Sequence, residues 1–379
     1  MQQAAWWERK RSELLAIAEE HRNAYVYDLE TIRHTATQIL DLPSIDRALY
    51  AVKANFNCDV LLTLANAGVD FDCVSPGEVE RLRDVLPDGG RDRILFTPNF
   101  APRDEYEWGL NEGLRVTLDN LYPLKAWPEL FSGQEVFIRI DPDQGGGHHE
   151  HVVTVGSRSK FGVSLHELDE MQALLSHAGA KVTGIHAHSG SGILDPQNWE
   201  AVANVLVEAA ARFPDVRVLD LGGGIGVPER RGDPAFDLAG LETRLAAFRR
   251  KNPDYEIWME PGRFLVSVAG VLLTHVTQLK GKSEHRYVGV STGINALIRP
   301  ALYDAYHEIV NLTRLEEAAT GLVTIVGPIC ETGDTLGTDR SLPDSVENDV
   351  VLIANAGAYG YVMSSRYNLR EIPPEIVIR

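Results

Sequence analysis

The sequence predicts an α/β protein, built as an eight-stranded (β/α)8 barrel followed by a second, mostly antiparallel β domain. Two observations support this prediction. Between about residues 25 and 264, short β-branched and aromatic runs alternate with segments of helical period. After residue 264, strand-like runs return without regular helices between them. Alternating βα units form parallel sheets, and eight such units favour a closed barrel, with a doubly wound open sheet as the alternative.

The individual elements can be assigned in order. After a leading strand at 24–28, the runs predicted as barrel strands are 48–54, 69–75, 93–99, 114–119, 135–141, 182–190, 216–224 and 255–262. The helical patterns between them include 59–68, 76–86, 166–179 and 198–213. The strand-like runs of the β domain are 265–276, 286–291, 322–327, 349–355 and 375–379. We therefore divide the chain into a barrel at 25–264 and a β domain at 265–379, to which we add an N-terminal arm at 1–24.

The composition excludes several classes of protein. The 379 residues are 44% hydrophobic and 24% charged, as in ordinary globular proteins. The formal net charge is −18, from 36 Lys and Arg against 54 Asp and Glu, and such a surface disfavours nucleic acids and anionic membranes. Three cysteines form no disulfide framework, and the apolar stretch at 264–279 is shorter than a membrane span. With no apolar signal-peptide core in the first residues, we expect a cytoplasmic protein.

Polar residues and glycines follow the predicted barrel strands at their carboxyl ends. They are Lys53, Asp72, Arg139, His186, His188, the run Gly222–Gly224 and Glu260. In a (β/α)8 barrel the active site forms at this rim, and phosphate sites favour the loops after strands seven and eight. We therefore expect these residues to line one site.

Each of these residues has a plain structural explanation beside the chemical one. Lys53 follows an apolar run and suits Schiff-base chemistry, although an ion-paired lysine is the alternative. The run Gly222–Gly224 lets backbone N–H groups approach a phosphate, or simply forms a tight turn. Glu260 can set the protonation of a heteroaromatic nitrogen or pair with Arg263, and His188 can stack on a flat cofactor. Taken together, these features describe a pyridoxal phosphate site.

Eight motifs in order extend this interpretation. They are YAVKAN (50–55), FDCVSPGE (71–78), SKFG (159–162), HAHSGSG (186–192), LGGGIG (221–226), EPGR (260–263), CETGD (330–334) and GAYG (357–360). With these motifs the chain resembles the fold-type III pyridoxal-phosphate decarboxylases from about residue 25 to 367. That family pairs an alanine-racemase-like barrel with a β domain.

Within this family, two segments make the chain most similar to the diaminopimelate decarboxylases. One is RPALYDAYH (299–307), and the other is CETGD in place of the Cys-Asp form of ornithine decarboxylases. Arg299 offers a bidentate fork for a second, distal carboxylate. The resemblance implies decarboxylation of meso-2,6-diaminopimelate to L-lysine and CO₂, the last step of lysine biosynthesis. Decarboxylation of carboxynorspermidine, ornithine or lysine is the alternative.

The resemblance also implies how the cofactor, pyridoxal 5′-phosphate, is held. Lys53 would bind it covalently, with Asp72 near that lysine. His188 would stack on the ring, and Glu260 would keep the ring nitrogen protonated. The residues around the phosphate would be Ser191, Gly222, Gly223, Gly224 and Tyr359.

The same resemblance implies the substrate contacts. Those expected at the distal carboxylate are Arg263, Arg299 and Tyr303, with Tyr359 beside them. Glu331 would bind the distal amine, and Cys330 would return a proton to the carbanion. In this family that cysteine comes from the partner subunit, so an active homodimer is implied.

The chain departs from the family pattern in two places. HAHSGSG replaces the more frequent HIGSQ form, and SKFG has an atypical lead-in from residue 144. These features are similar to the decarboxylase module of a fused aspartate kinase–diaminopimelate decarboxylase, so we expect that the chain can be part of a longer polypeptide.

Two further hypotheses belong to other classes. A barrel metallohydrolase would use His186 and His188, with ligands from the segment His148–His151, but it leaves Lys53 and the glycine run unexplained. We therefore predict no metal. A catalytically inactive regulator on the same scaffold would lack Lys53 or Cys330, and both are present.

Overall fold

The computed structural model describes residues 5–86, 90–142 and 159–379. Its strands are β1 (Ala24–Asp28), β2 (Arg47–Ala51), β3 (Asp70–Cys73), β4 (Ile94–Phe96), β5 (Arg115–Leu118), β6 (Glu135–Asp141), β7 (Val163–Ser164), β8 (Lys181–His186), β9 (Val218–Asp220), β10 (Glu256–Met259), β11 (Gly270–Lys282), β12 (His285–Val290), β13 (Ile309–Asn311), β14 (Gly321–Val326), β15 (Thr335–Leu342), β16 (Val350–Ile353) and β17 (Glu375–Ile378). Its α-helices are α1 (Trp6–Arg9), α2 (Arg11–Glu20), α3 (Leu29–Leu40), α4 (Cys58–Ala67), α5 (Pro76–Arg83), α6 (Arg103–Asn111), α7 (Tyr122–Ala126), α8 (Leu168–Ala178), α9 (Gln197–Ala210), α10 (Leu238–Lys251), α11 (Arg263–Val266) and α12 (Arg299–Tyr303).

Eight parallel strands close into a barrel, as the sequence predicts. Their order is β2-β3-β4-β5-β6-β8-β9-β10, and β10 pairs with β2 to complete the ring. The short strand β7 extends from β6 outside this ring. Because the sheet closes on itself, the open doubly wound alternative is wrong.

Local sequence signals start and stop the helices that separate these strands. The Asn57 side chain accepts the backbone N–H of Asp59 and caps α4, which ends at Gly68 with φ of 99°. Ser75 caps α5 in the same way through the N–H of Glu78. Capping by Asn or Ser, and termination by a glycine at positive φ, are the usual chemistry of helix ends. These short connections place each strand end next to the start of the following helix.

Large side chains fill the barrel interior. Leu49, Leu95, Phe137, Val218 and Trp258 form one buried cluster, drawn from five different strands. The rings of Phe137 and Trp258 lie 5.4 Å apart. A closed barrel of eight strands has room for such a packed layer, so its polar chemistry is confined to the rim.

The second sheet is mixed. Its order is β13-β16-β11-β12-β14-β15, with β1 on β11 and β17 on β1. Five of its strand pairs are antiparallel, as predicted, whereas β1–β17 and β12–β14 are parallel. A buried cluster that includes Trp6, Trp7 and Val26 packs on this sheet, and Trp6 Nε1 donates to the carbonyl of Val268 at 2.8 Å.

The chain forms two compact units. One holds the residues up to Ile32, Pro228–Pro234 and Leu265–Arg379, and we call it the β unit. The other, the barrel unit, holds Arg33–Val227 and Ala235–Phe264. Strand β1 belongs to the β unit because its hydrogen-bonded neighbours are β11 and β17. The domain limits 25–264 and 265–379 remain a prediction.

None of the helices in the described ranges has the length and apolar character that a bilayer span needs.

Candidate active site

The barrel strands end in polar residues that gather at one rim. Besides the residues singled out from the sequence, the structure adds Thr97, Asp119 and Asp220 to this rim. Parallel strands place all their carboxyl ends on the same side of a barrel. The polar and charged residues therefore lie together at one end of the barrel, next to its apolar core.

Lys53 and Asp72 form an ion pair at this rim. Lys53 lies in a short helical turn just after β2, and its Nζ is 2.6 Å from Asp72 Oδ2. The Asp72 side chain is 1% exposed, the Lys53 side chain is 40% exposed, and the Thr97 hydroxyl donates to the other oxygen of Asp72. Burial and the nearby charge of Glu260 raise the pKa of Asp72, while the Lys53 ammonium opposes them. Lys53 is therefore ion-paired in this structure, as the alternative interpretation holds. The same ion pair fixes the orientation of the Lys53 amine.

Glu78 lies near this pair, on α5. Its Oε2 accepts the backbone N–H of Val74 at 2.8 Å. Burial raises the pKa of Glu78 to about 7, against the effects of that hydrogen bond and of Lys53. Glu78 therefore changes its protonation state near neutral pH.

Glu260 follows β10 and is 5% exposed. Its Oε2 lies 3.0 Å from His186 Nε2, at the end of β8. Burial opposes ionisation of Glu260, but His186, Lys53 and His188 together hold its pKa at about 2. Neighbouring Asp220 behaves oppositely, because burial and the charge of Glu260 raise its pKa. The pKa values of these two neighbouring carboxyl groups are therefore shifted in opposite directions.

His188 is a neutral imidazole at the same rim. Burial, Arg139 and Lys53 lower its pKa to about 3. The backbone N–H of Gly223 donates to His188 Nδ1 at 3.2 Å. This contact fixes the ring next to the glycine run.

The run Gly222–Gly224 passes tightly between two other strand ends. Gly222 and Gly224 have φ of 64° and 103°, conformations that favour glycine. A Cβ on Gly222 would collide with the carbonyl of Ala187, and one on Gly223 would collide with that of Glu260. The tight-turn interpretation therefore holds, and the turn lies at the rim with Gly222 and Gly223 buried.

Arg263 contacts Ser191. Its Nη2 and Nε lie 3.0 and 3.3 Å from Ser191 Oγ, and its side chain is 9% exposed. The sequence interpretation assigned Arg263 to a distal carboxylate and Ser191 to a phosphate. The structure instead brings the two side chains together within the barrel unit, where both can serve one anion.

A second charged pair at the rim joins Arg139, which the sequence placed there, to Asp119, which the sequence analysis did not single out. Arg139 Nη1 lies 3.5 Å from Asp119 Oδ1, and its guanidinium stacks 4.4 Å from the ring centroid of Phe161. The backbone N–H of Gly162 donates to Asp119 at 3.2 Å. Burial lowers the pKa of Arg139 and raises that of Asp119. The signal for Asp119 was available as well, because this residue ends the predicted strand at 114–119.

In the β unit, Arg299 and Tyr359 come together. Arg299 begins α12, is 3% exposed and lies 6.0 Å from the ring centroid of Tyr359. Tyr359 has φ of 58°, an uncommon conformation for an aromatic residue. Such strain is often found at ligand sites, because the surrounding structure must enforce it. Tyr303, at the other end of α12, is half-buried.

The loop that carries Cys330 and Glu331 is anchored by the buried side chain of Asp334. Asp334 is 3% exposed and accepts the N–H groups of Ile294 and Ile329 at 2.7 and 2.6 Å. Cys330 and Glu331 themselves are exposed, and Tyr367 donates its hydroxyl to Glu331. The CETGD motif therefore combines one buried residue that fixes the loop, Asp334, with two exposed side chains, those of Cys330 and Glu331.

The segment His148–His151, weighed as a source of metal ligands, lies outside the described residues. Of the two histidines in the same hypothesis, His186 contacts Glu260 and His188 contacts Gly223, so each has its own partner.

Comparison with known families gives a match over most of the barrel. Residues 29–267 match the family described as pyridoxal-dependent decarboxylase, pyridoxal binding domain.

Individual proteins extend this similarity to both units. The chain is 36% identical over 345 residues to the diaminopimelate decarboxylase of Methanothermobacter thermautotrophicus, covering 88% of this chain and 80% of that protein. It is 36% identical over 374 residues to that of Pseudomonas aeruginosa, covering 93% and 87%. The crystal structure of diaminopimelate decarboxylase from Helicobacter pylori complexed with L-lysine superposes with a TM-score of 0.86 at 29% identity, covering 97% of this chain and 94% of that one.

Proposed function

The chain belongs to the family of pyridoxal-dependent decarboxylases, and from this membership we propose that it converts meso-2,6-diaminopimelate to L-lysine and CO₂. Pyridoxal 5′-phosphate is the cofactor. The structural observation that carries the proposal is the Lys53–Asp72 pair at 2.6 Å, set on the same rim as the ionised Glu260. The rim thus combines an amine for a carbonyl, an anion for a ring nitrogen and a glycine turn for a phosphate.

The residues of the rim fit this cofactor in two specific ways. Glu260 Oε1 is buried and has no hydrogen-bond partner among the described residues, so it can accept from a protonated ring nitrogen. Arg263 contacts the Ser191 hydroxyl after β8, and the Gly222–Gly224 turn follows the adjacent strand β9, so a guanidinium, a hydroxyl and a glycine turn lie on the same rim for a phosphate. We therefore assign Arg263 to the phosphate rather than to the substrate, together with Ser191, the glycines and Tyr359.

The protein's own contribution is to orient groups and to hold protons. When bound, the cofactor supplies an electron sink for the electron pair left by the departing carboxylate. Lys53 Nζ would hold the cofactor, and Asp72 directs that amine. His188, neutral at pH 7, would cover the ring face without adding a charge. Glu260 would keep the ring nitrogen protonated.

Residues of the β unit provide the substrate contacts. Arg299 and Tyr303 would bind the distal carboxylate beside Tyr359, and Glu331 would bind the distal amine. Cys330 would deliver a proton from Sγ to the α-carbon. We propose that the enzyme works as a homodimer, in which Cys330 and Glu331 of one protomer complete the barrel site of the other. The exposure of both side chains supports this arrangement.

We also place the enzyme in the cytoplasm. All three cysteines are free thiols in the structure, which suits a reducing compartment.

The test of the proposed function is CO₂ release by purified protein with added pyridoxal 5′-phosphate. Meso-diaminopimelate should release CO₂, whereas L-ornithine, L-lysine and carboxynorspermidine should not. The Lys53→Ala variant should lose the activity, and Lys125→Ala, which removes a lysine from a surface ion pair with Glu170, should keep it. Release from one of the other three amino acids would contradict the assignment of Arg299 and Glu331.

The shared site is tested by mixing two inactive variants. Lys53→Ala and Cys330→Ala protomers, unfolded together and refolded at equal concentration, should regain about a quarter of wild-type activity, because about half of the dimers then contain one intact site. No recovery, with mixed dimers shown by mass spectrometry, would mean that each protomer supplies its own cysteine.

A further inference from the structure

A buried cluster of three polar side chains lies at the ends of three adjacent barrel strands. Its members are His186 on β8, Asp220 on β9 and Glu260 just after β10, and they are 2%, 0% and 5% exposed. One nitrogen or oxygen atom of each lies within 4.8 Å of the others. Only Glu260 has a place in the mechanism above, so the role of the other two is open.

The hydrogen bonds of the cluster have a definite direction. An ionised carboxylate can only accept, so His186 donates from Nε2 to Glu260 Oε2 at 3.0 Å. Asp220 Oδ1 accepts the backbone N–H of Gly222 at 3.0 Å. Glu260 Oε1 has no hydrogen-bond partner among the described residues other than the neighbouring Asp220 carboxyl, which interacts with Glu260. One oxygen of Glu260 is thus fixed by His186, and the other keeps a lone pair for a further donor.

We propose that His186 is a positioning residue, which fixes Glu260 through Oε2 and so reserves Oε1 for the N–H of the cofactor ring. This inference rests on the proposed function, because it requires pyridoxal 5′-phosphate at the rim. Asp220 assists by attaching the same cluster to the backbone of the glycine turn.

The physical reason lies in the burial of Glu260. A buried carboxylate needs donors for both oxygens, and it rotates or takes up a proton when it lacks them. With His186 in place, Glu260 stays ionised and keeps one orientation. Without His186, the side chain can turn both oxygens toward other donors, and its attraction for a cationic ring nitrogen weakens.

The same three side chains also form a possible set of metal ligands. A metal ion would occupy the atoms that the proposal gives to a hydrogen bond and to the cofactor ring. The presence of a metal is therefore an outcome that the experiment must distinguish.

The experiment compares two ligands in the same variant. Equilibrium binding to the apoenzyme is measured for pyridoxal 5′-phosphate and for its analogue with a C–H group in place of the ring nitrogen. The wild type should prefer the natural cofactor. His186→Leu should reduce this preference about tenfold, the scale of one hydrogen bond to a charged group. His186→Gln, which retains an amide donor, should keep most of the preference.

The ratio of the two affinities isolates the ring nitrogen from general damage. The matched control is His177→Leu, which changes an exposed histidine on α8 and should leave both affinities unchanged. If His186→Leu weakens both ligands equally, the residue is merely structural and the inference is overturned. It is also overturned if elemental analysis finds a metal that the wild type binds and His186→Leu loses. If the wild type binds neither ligand, the proposed function itself fails.

Discussion

The barrel rim and the Cys330 loop of the β unit hold their functional side chains in opposite ways. At the rim, Asp72, His186 and Glu260 are at most 5% exposed, and each is hydrogen-bonded to another side chain. In the loop, Cys330 and Glu331 are exposed, and the buried member is the anchor Asp334. The rim is thus built by the fold of one barrel, whereas the loop presents its two side chains to solvent.

This difference suggests how each region should respond to mutation. Changes at the rim should alter the electrostatics of the bound cofactor, because low exposure strengthens every charge interaction there. Changes in the loop should alter proton delivery or substrate affinity and leave the cofactor in place. The following predictions test that contrast, beginning with the largest expected effect.

Removing the charge of Glu260 should have the largest effect. Glu260→Gln should lower kcat/KM by about a hundredfold to a thousandfold, the scale for one preorganised electrostatic partner. Steady-state CO₂ release measures this. Glu208→Gln, an exposed glutamate on α9, is the control. A loss below about threefold would mean that the rim does not act on the ring nitrogen.

Removing the Cys330 thiol should have a smaller effect. Cys330→Ala should lower kcat about a hundredfold, as expected for the loss of a general acid, with KM nearly unchanged. Cys58→Ala, in which a half-buried thiol on α4 is removed, should keep the activity. Single-turnover kinetics give the measurement. An equal loss in both variants would remove the loop from the chemistry.

Weakening the loop anchor should affect stability as well as activity. In Asp334→Asn, one of the two backbone N–H groups from Ile294 and Ile329 loses its acceptor. We expect a loss of about 1–3 kcal/mol in the free energy of unfolding, measured in urea. Glu347→Gln, at an exposed position of the same unit, should leave it unchanged. An unchanged free energy of unfolding in Asp334→Asn would show that other contacts, and not Asp334, stabilise the loop.

Glu78 should give the rim a pH-dependent stability. Its pKa is about 7 in the folded protein against an ordinary value of 4.5, so the folded state binds more protons between these values. Stability from this group is therefore present below about pH 4.5 and lost as the pH rises through about 7. Urea unfolding at several pH values should show wild type falling relative to Glu78→Gln by about 3 kcal/mol over that range. A constant difference would contradict the assignment.

The smallest effect should come from the exposed hydrogen bond in the loop. Tyr367→Phe removes the donor to Glu331 and should cost less than about 1 kcal/mol, because exposed hydrogen bonds compete with water. We expect KM for meso-diaminopimelate to rise by about threefold at most, with kcat unchanged. Tyr255→Phe on the barrel unit is the control. A large fall in kcat would mean that this tyrosine takes part in proton delivery.

Much of the barrel rim was predictable from local sequence. A polar residue after each apolar run located Lys53, Asp72, His188 and Glu260 because strands in a barrel all end on one side. The pairing of Arg263 with Ser191 was not predictable. Neighbours in sequence suggested Glu260 as the partner of Arg263, but side chains from separate strand ends meet only after the barrel closes.

The β unit was predicted less fully. Of its strands after residue 264, five were predicted, but β13 and β15 were missed. The parallel pairings β1–β17 and β12–β14 were also not predicted, since parallel strands need long connections whose ends carry no local signal. The strain at Tyr359 was equally invisible, because a positive φ at an aromatic residue reflects its surroundings and not its own preference.

The sequence by itself determined the fold class, the order of the barrel strands and the residue types at the rim, because these follow from hydrophobic period and from strand ends. Only the tertiary structure decided the pKa shifts and the partners of these residues. The pKa of Glu260 is lowered because His186 donates to it, whereas burial and the charge of Glu260 raise the pKa of Asp220. These opposite shifts depend on distances between strand ends, which no stretch of sequence contains.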